Sequence, residues 1–502
     1  MPESETAEQT STVVDQSFSK PTHISTFPFQ AICPLSEQEN LDYESTYISA
    51  QKRSSKEFKA HGPNDGKNKK RKWGPITSEN TETKESIDTL EKKPRMPKKK
   101  VVLLMSYCGT GYQGMQINPD VPSIELDLHK ALAASGAVST DNSMDPGKIA
   151  FMRCARTDKG VHAGGQVVSL KMIIQDSDII ERINARLPPQ IRVWGYARVQ
   201  QQFHAKHHCD SRIYEYILPT SVLKKVDPTY YPLSKIGVAA GVTFENMGRA
   251  KMEPIEIPEH TDNEKETIQG YRTNHQELEE FRAILNEYVG THNYHNFTIG
   301  RKFEDKSSIR YIISFICSEP FQRDNTEWVS LKVKGQSFML HQIRKMIGLA
   351  VMMMRTSTPK NLIASTFSQT RINIPKAPAL GLLLERPLFE NYNSQIQPKG
   401  VDRDVIDFDQ YKELIDQFKE DWIYKAQIQE EISKGHFLEW TRVVDSNPDD
   451  YGWYLTSNGS IMEEYKPPYI HATNLNPSIY RHGGKSQSRS DGEDNAESKD
   501  ED

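Results

Sequence analysis

One short segment of the chain groups a carboxylate, cations, a glycine and a histidine. Residues 153–163 read RCARTDKGVHA, so Asp158 stands between Arg156 and Lys159. A nearby cation favours the ionised form of a carboxylate, and an ionised carboxylate is nucleophilic at neutral pH. Gly160 permits a tight turn with a positive φ just after it. Asp158 is therefore a candidate nucleophile, although an aspartate in a turn is more commonly a helix cap or a surface residue.

A second group of residues raises the question of a metal site. His204, His207, His208 and Cys209 lie close together in the sequence, and these side-chain types bind zinc. Their spacing matches no standard zinc finger, and adjacent histidines on a strand point to opposite faces. Zinc at this cluster stays an open alternative with no part in the chemical step. His162, inside the first segment, is expected to order its loop rather than to act as a general base.

These residues need a scaffold, and hydrophobic periodicity predicts one that mixes strands and helices. The predicted strands cover residues 101–106, 166–174, 193–199, 212–218, 309–318, 328–333 and 381–385. The predicted helices cover residues 124–135, 177–187, 277–289, 338–354 and 404–433. The pattern indicates an α+β or α/β core near residues 98–392, with a helical extension after a Pro/Gly break that follows Gln397.

Composition separates this core from polar ends. The chain has 502 residues, room for about three domains, and is 36% hydrophobic, against about 45–50% in typical globular proteins. Residues 1–97 are polar with isolated apolar residues, and they are predicted to form a disordered arm. Residues 491–502 hold seven acids and one lysine, a net charge of −6 within a total of −5. The rest of the chain therefore carries a net charge of +1, which the acidic tail outweighs in the total.

Several classes of protein are excluded at this stage. The chain has no run of about 18 apolar residues, which argues against a spanning helix. Its acidic start lacks the basic and apolar regions of a secretory signal and the arginine-rich composition of a mitochondrial presequence. The five cysteines are scattered without a C-x-x-C pair, which argues against a disulfide framework and indicates a reducing compartment.

Basic residues concentrate in the arm and recur around the candidate site. Clusters at residues 67–72 and 92–100 either bind a nuclear import receptor or contact phosphates, and import is favoured because the arm is expected to be exposed. Both clusters also fit a run of charged residues that is solvated and has no binding role. Further candidates for contacts with a nucleic acid are Arg153, Lys159, Lys206, Arg301, Lys302, Arg310, Lys334 and Lys345.

The segment RTDKGVHA at residues 156–163 closely resembles the catalytic motif R-T-D-x-G-V-H-A of the TruA family of pseudouridine synthases. Other segments resemble motifs of this family in the same order along residues 98–392. They read YCGTGYQGMQ at 107–116, FHA at 203–205, RIYEYI at 212–217, SFMLHQIRKMIG at 337–348 and APALGL at 377–382. The long arm, the inserts and the extension resemble the eukaryotic nuclear, multisite members that modify tRNA.

The resemblance implies a fold and a domain order. The implied fold is an α+β catalytic core of two α/β subdomains around a central mixed or antiparallel sheet with an RNA-binding cleft, plus a C-terminal helical extension. The expected domains are an arm at 1–97, subdomains at 98–205 and 206–397 with an insertion at about 244–275, the extension at 398–480 and a disordered acidic tail at 481–502.

The resemblance also implies the reaction, an isomerisation of uridine to pseudouridine in tRNA around the anticodon stem and loop. The base must leave the RNA stack before its glycosidic bond can be reached. The base is never released, so one carboxylate suffices, whereas a hydrolytic glycosidase usually uses two. A nucleoside hydrolase and a non-catalytic RNA-binding protein are the alternatives, and the second does not need a carboxylate that faces RNA.

Five residues acquire expected roles from the resemblance. Asp158 is the implied nucleophile, and Arg156 is implied to occupy the space that the flipped base vacates. Tyr214 is implied to stack on the uracil, Arg344 to pair with the catalytic carboxylate, and Leu382 to pack against the base. Without the family, Arg156 is an ordinary phosphate or ion-pair contact, and Tyr214 and Leu382 are core residues.

The expected setting completes this description. The chemistry is expected to need no cofactor, and the location is expected to be the nucleus. The expected partners are tRNA, further RNAs such as snRNA and mRNA, and a nuclear import receptor, without a membrane. The inserts and the extension favour a monomer, although bacterial members of the family are dimers.

Overall fold

The computed structural model describes residues 96–118, 121–139, 142, 146–226, 261–397, 402–445 and 451–462. Several expectations lie outside these residues: the arm up to residue 95, the part of the insertion before residue 261, and the tail at 481–502. Within the described ranges, no helix has the length and apolar character needed to cross a membrane.

The described chain mixes strands and helices, which confirms the α+β class. Its strands are β1 Lys99–Tyr107, β2 Met152–Arg153, β3 His162–Met172, β4 Ile191–Arg198, β5 Ser211–Pro219, β6 Gly290–Asn293, β7 Ile309–Cys317, β8 Phe321–Arg323, β9 Thr326–Gly335 and β10 Leu382–Leu388. Its α-helices are α1 Ile124–Ala134, α2 Ile179–Asn184, α3 Asp262–Gln269, α4 His275–Asn286, α5 Gln342–Thr356, α6 Leu362–Thr366, α7 Glu390–Ile396, α8 Lys412–Phe418, α9 Lys425–Lys434 and α10 His436–Asp445. A π-helix, Lys419–Tyr424, joins α8 to α9.

Within the helix predicted over residues 404–433, α8 begins only at residue 412, directly after a short 3₁₀-helix at Asp409–Tyr411. The residues before it make backbone bonds to other parts of the chain instead. The Asp404 amide donates to the Arg198 carbonyl at 2.9 Å, and the Ile406 amide donates to the Asn393 side chain at 2.9 Å. These tertiary bonds satisfy the backbone in an extended form, so the apolar spacing of this stretch does not produce a helix there.

The chain divides into two compact units, and this division crosses the extension. The first unit comprises residues 1–210 and 384–423, and the second comprises residues 211–383 and 424–502. Helix α8 therefore belongs to the first unit, whereas α9 and α10 belong to the second. The domain boundaries inferred from the sequence stay a prediction.

The first unit is built on the antiparallel strands β4, β1 and β3, in that order. Strand β1 reads KKVVLLMSY and is buried from its second residue to its end. Such a continuous apolar run is typical of a strand that is covered on both faces. In the ladder with β3, Leu104 lies opposite Val167, and Tyr107 lies opposite Ala163. The buried end of β1 therefore reaches the start of β3, just after the candidate segment.

The second unit is built on the antiparallel strands β5, β9, β7 and β6, in that order. Helix α4 begins with a capping box, because Asn274 and Glu277 exchange side chain–backbone hydrogen bonds. The hydroxyl of Tyr288, just beyond this helix, donates to the Met346 carbonyl of α5 at 2.9 Å. Helix α5 is buried along most of its length, as its apolar sequence predicts.

The part of the extension that belongs to the first unit packs against β4 at a glycine, Gly195. A β-carbon at Gly195 of β4 would overlap the phenol of Tyr411, so only glycine admits this ring. The Lys419 ammonium binds the Glu385 carboxylate at 2.6 Å, with both groups largely buried. Because both charges are removed from water, loss of either partner alone would leave a buried charge unpaired.

The part of the extension in the second unit is joined by a buried carboxylate. Glu431 of α9 accepts the backbone N–H of Phe437, at the start of α10, at 2.9 Å. Burial raises the pKa of Glu431 to about 7, even though this and neighbouring backbone N–H groups act to lower it. Glu431 is therefore a helix cap that favours its protonated form more than an exposed glutamate does.

This cap predicts a pH dependence of stability. A carboxyl group whose pKa is about 7 when folded, against an ordinary 4.5, binds more protons in the folded protein between these values. We therefore expect its contribution to the free energy of unfolding to decrease as pH rises from 4.5 to 7, by on the order of 3 kcal/mol. Glu431→Gln keeps an oxygen acceptor without the titration, so its stability should lack this component. Urea unfolding across this pH range would measure it, and identical profiles for both proteins would contradict it.

Candidate active site

The candidate loop alternates between buried and exposed residues. Ala155 and Thr157 are buried, whereas Arg156 and Asp158 are exposed. Two buried anchors therefore hold the segment, and two charged side chains point away from the interior. This arrangement presents Arg156 and Asp158 together on the accessible side of one unit.

The amide of Gln166 holds the backbone of Ala155. Its Nε2 donates to the Ala155 carbonyl at 2.9 Å, and its Oε1 accepts the Ala155 N–H at 3.2 Å. Thr157 is held at two points, because its hydroxyl lies 2.8 Å from the Tyr107 hydroxyl and its carbonyl accepts the Met115 N–H at 3.1 Å. Ala155 is thus bonded through its backbone, and Thr157 through both its backbone and its side chain.

A turn follows the candidate carboxylate. The Val161 N–H donates to the Asp158 carbonyl at 3.1 Å, and Gly160 has a φ of 73°. The buried imidazole of His162 accepts the Gly109 N–H through Nδ1 at 3.1 Å. The expectation that His162 orders its loop is confirmed, because its Nδ1 lone pair is used to bind backbone.

Close backbone contact explains why the segment 107–116 carries several glycines. A β-carbon at Gly109 would overlap the Val161 carbonyl, and one at Gly114 would lie 2.7 Å from the Thr157 carbonyl oxygen. Gly114 also has a φ of 115°, which disfavours any residue with a side chain. The two motif segments at residues 107–116 and 156–163 therefore pack against each other as a pair of loops.

The structure corrects the role expected of Arg153. Its guanidinium binds the buried carboxylate of Glu125 through Nε and through Nη2, the latter at 2.9 Å. Burial raises the pKa of Glu125, while Arg153 and the Ile117 N–H act to lower it. Arg153 is thus committed to a buried ion pair rather than to contact with a nucleic acid.

Lys345 is also not a surface cation. Its side chain is buried in the second unit, and its ammonium donates to the carbonyls of Asn296 and Thr298 at 3.3 and 3.2 Å. Burial, together with the nearby charges of Arg371 and Lys376, lowers its pKa to about 7. By contrast, Lys159, Lys206, Arg301 and Lys302 are exposed, as contacts with RNA require.

The remaining candidate residues belong to the second unit. Tyr214 of β5 is half-buried, with its ring edge-on to Phe338 at a centroid distance of 5.2 Å. Arg344 of α5 is half-buried, and its Nε donates to the Ala377 carbonyl at 2.7 Å. Leu382 begins β10 and is 9% exposed. The structure thus brings Asp158 together with Arg156 in one unit, and carries the other three residues in the second.

The histidine cluster adopts ring contacts. The ring of His208 stacks on Phe203 at 4.9 Å, and the rings of His204 and His207 lie 4.2 Å apart. Burial and the neighbouring cations lower the pKa of His204. Across the described ranges, no three or more His, Cys, Asp or Glu side chains are grouped so that they could hold a metal ion.

Two residues that hold the candidate loop were not identified from the sequence, Tyr107 and Gln166. Gln166 did carry a signal, because it is the lone amide in a strand of mainly small and apolar residues, HAGGQVVSLKM. A buried amide of this kind requires hydrogen-bond partners. Tyr107 opens the segment 107–116 that resembles a family motif, but nothing in that segment indicated its role, since a tyrosine at a strand end is common in any core.

Comparisons with known proteins agree with the motifs. A family model described as tRNA pseudouridine synthase matches residues 284–390. A protein named tRNA pseudouridine synthase 1 from Yarrowia lipolytica is 41% identical over 421 residues, which are 75% of this chain and 80% of that protein. Its namesake from Saccharomyces cerevisiae is 42% identical over 389 residues, 69% of this chain and 70% of that protein. A mouse protein named pseudouridylate synthase 1 homolog is 38% identical over 358 residues, 70% and 76% of the two chains.

The close packing of the two loops predicts different outcomes at two glycines. Gly111 and Gly114 both have a positive φ, but a β-carbon at Gly111 has no neighbour within 4 Å. Gly111→Ala should therefore cost only backbone strain, about 1–2 kcal/mol in the free energy of unfolding. Gly114→Ala must also displace the Thr157 backbone, and should cost about 3 kcal/mol or more. Urea unfolding of both variants tests this, and equal losses would show that the loops do not pack this closely.

Proposed function

This chain belongs to the tRNA pseudouridine synthase family, and from that premise we propose that it isomerises specific uridines of tRNA with Asp158 as the nucleophile. The observation that carries this assignment of Asp158 is its exposure on a loop that is held by the buried, hydrogen-bonded residues Ala155 and Thr157. We place its target uridines around the anticodon stem and loop.

The reaction exchanges one bond for another without a co-reactant. The N1–C1′ bond of uridine breaks, the uracil turns within the site, and a C5–C1′ bond forms. C5 then loses its hydrogen and N1 carries one, so that the product is an isomer of the substrate. Neither water nor a cofactor is consumed, and one carboxylate is sufficient because the uracil stays in the site.

The other candidate residues have roles that suit their surroundings. Arg156 is exposed beside Asp158, as a residue that enters the space of a flipped base must be. Tyr214 keeps part of its ring accessible, and an aromatic face holds a base without requiring hydrogen bonds. We assign to Arg344 the pairing with the catalytic carboxylate that the resemblance implies, and its Nε donates to the Ala377 carbonyl at 2.7 Å. Leu382 packs against the base in this proposal.

The substrate range, the location and the oligomeric state extend the proposal. We assign the basic clusters at residues 67–72 and 92–100, apart from Lys100, which is buried in β1, to a nuclear import receptor, and the enzyme to the nucleus. snRNA and mRNA are proposed as further substrates there. The exposed Lys159, Lys206, Arg301 and Lys302 support binding to RNA that weakens with salt. The enzyme is proposed to act as a monomer.

The nucleophile can be tested by following the hydrogen that leaves C5. With tRNA transcripts that carry tritium at C5 of uridine, the native protein should release tritium, and Asp158→Asn should release none above background. The variant should still bind tRNA with an affinity near that of the native protein, because it loses one exposed charge. A matched control is Asp178→Asn, which changes an exposed carboxylate of the same unit that is paired with Arg182.

Three results would contradict parts of this proposal. Tritium release by Asp158→Asn at the native rate would exclude Asp158 as the nucleophile. Binding of tRNA without tritium release by the native protein would indicate a binding protein or a different RNA substrate. Free uracil among the products would indicate hydrolysis instead of isomerisation.

The assignment of the arm predicts that deletion of residues 1–97 redistributes the protein from the nucleus to the cytoplasm. Activity on tRNA in vitro should change by less than about threefold if the arm serves import alone. Fluorescence localisation and tritium release would be measured for the same variant. Nuclear retention of the shortened protein, or a large loss of tRNA affinity, would assign the arm a different role.

A further inference from the structure

We propose that Tyr107 is a positioning residue of this enzyme, whose buried hydroxyl acts through Thr157 to hold the backbone that carries Arg156 and Asp158. The inference rests on the proposed function, because it concerns the geometry of the proposed nucleophile. It assigns a task to a side chain that cannot reach the RNA itself.

The surroundings of Tyr107 point to a specific polar contact. It is the last residue of β1, and its side chain is fully buried. Its hydroxyl lies 2.8 Å from the Thr157 hydroxyl and accepts a 3.4 Å hydrogen bond from Gln166 Nε2. Burial raises the pKa of this phenol to about 12, so the hydroxyl keeps its proton at neutral pH. A hydroxyl in this position is costly to bury unless it is bonded, and both of its described partners hold the candidate loop.

The three buried side chains form one connected network. Gln166 forms hydrogen bonds with both the N–H and the carbonyl of Ala155, and it also donates to the Tyr107 hydroxyl. The Tyr107 hydroxyl in turn forms a hydrogen bond with the Thr157 hydroxyl. The loop is therefore attached at residue 157 to the end of β1, through Tyr107, and at residue 155 to the adjacent strand β3, through Gln166. Between and after these anchors stand the exposed residues Arg156 and Asp158. Their Cα positions follow from the anchors.

Exposure makes this backbone control important. A buried catalytic side chain is held by the residues packed around it, whereas Asp158 is exposed. The position of its backbone therefore sets where the Asp158 carboxylate can reach. Displacement of a catalytic group by about 1 Å can cost about 100-fold in rate. A single hydrogen bond that fixes Thr157 can therefore contribute to catalysis from beneath the site.

The test removes one oxygen atom. Tyr107→Phe keeps the ring in the core and deletes the hydroxyl, so we expect kcat for tritium release from labelled tRNA to fall about 100-fold. KM for tRNA and the melting temperature should stay close to those of Tyr454→Phe. Tyr454 is a matched control, because it is also fully buried and its hydroxyl donates to the Asn373 carbonyl at 2.8 Å.

Substitutions at the partner determine whether Tyr107 acts through Thr157. Thr157→Ser keeps the hydroxyl and should retain near-native kcat, whereas Thr157→Val keeps the shape without the hydroxyl and should resemble Tyr107→Phe. The double variant Tyr107→Phe/Thr157→Val should be no slower than the slower single variant, because both remove the same bond. Losses in kcat that multiply in the double variant would overturn the proposed route through Thr157.

The remaining outcomes separate this inference from the proposed function. An active native protein together with equal kcat values for Tyr107→Phe and Tyr454→Phe would overturn the positioning role alone. A lower melting temperature of Tyr107→Phe with an unchanged kcat would also overturn the positioning role, since it would indicate that the hydroxyl serves stability alone. A native protein that releases no tritium from tRNA, uridine-labelled snRNA or mRNA would instead remove the proposed function.

Discussion

The exposed charges of the candidate loop depend on polar groups that are buried beneath them. Gln166 and Tyr107 lie in the core of the first unit, where an unbonded amide or hydroxyl would be costly. Besides each other and the Val167 N–H, these groups bond the loop itself, at Ala155 and Thr157. The need to satisfy these core groups therefore also positions the loop. Removal of the network would harm both the core and the site.

The same constraint reaches the neighbouring loop through glycine. Gly109 and Gly114 allow the backbone of residues 108–116 to lie directly against that of residues 157–161. Any β-carbon there would separate the two loops and remove the backbone bonds between them. A family motif that appears as scattered glycines in the sequence is, in three dimensions, a contact surface. It supports the segment on which Asp158 stands.

Several basic side chains stabilise the fold and are not available to bind RNA. Arg153 is paired with the buried Glu125, Arg355 with Asp445, and Lys345 with two backbone carbonyls. Arg355 and Lys345 are buried and Arg153 is partly buried, and each would leave an unpaired partner if it were lost. The cations available to RNA are those that remain exposed, such as Lys159 and Lys302. The number of lysine and arginine residues in the sequence therefore overstates the number of groups that can contact phosphates.

The sequence by itself determined the α+β class, the order of the main strands and helices, and the family, because periodicity and ordered motifs are local properties. It also identified the segment that carries Asp158. Only the tertiary structure decided that residues 404–408 are not helical, that Arg153 is paired with a buried carboxylate, that Lys345 is buried, and that Tyr107 and Gln166 hold the loop. These outcomes depend on partners that are distant in the chain, such as Glu125 for Arg153 and Thr157 for Tyr107. Spacing along a sequence cannot encode which buried polar groups will meet, since that choice is made when the elements pack.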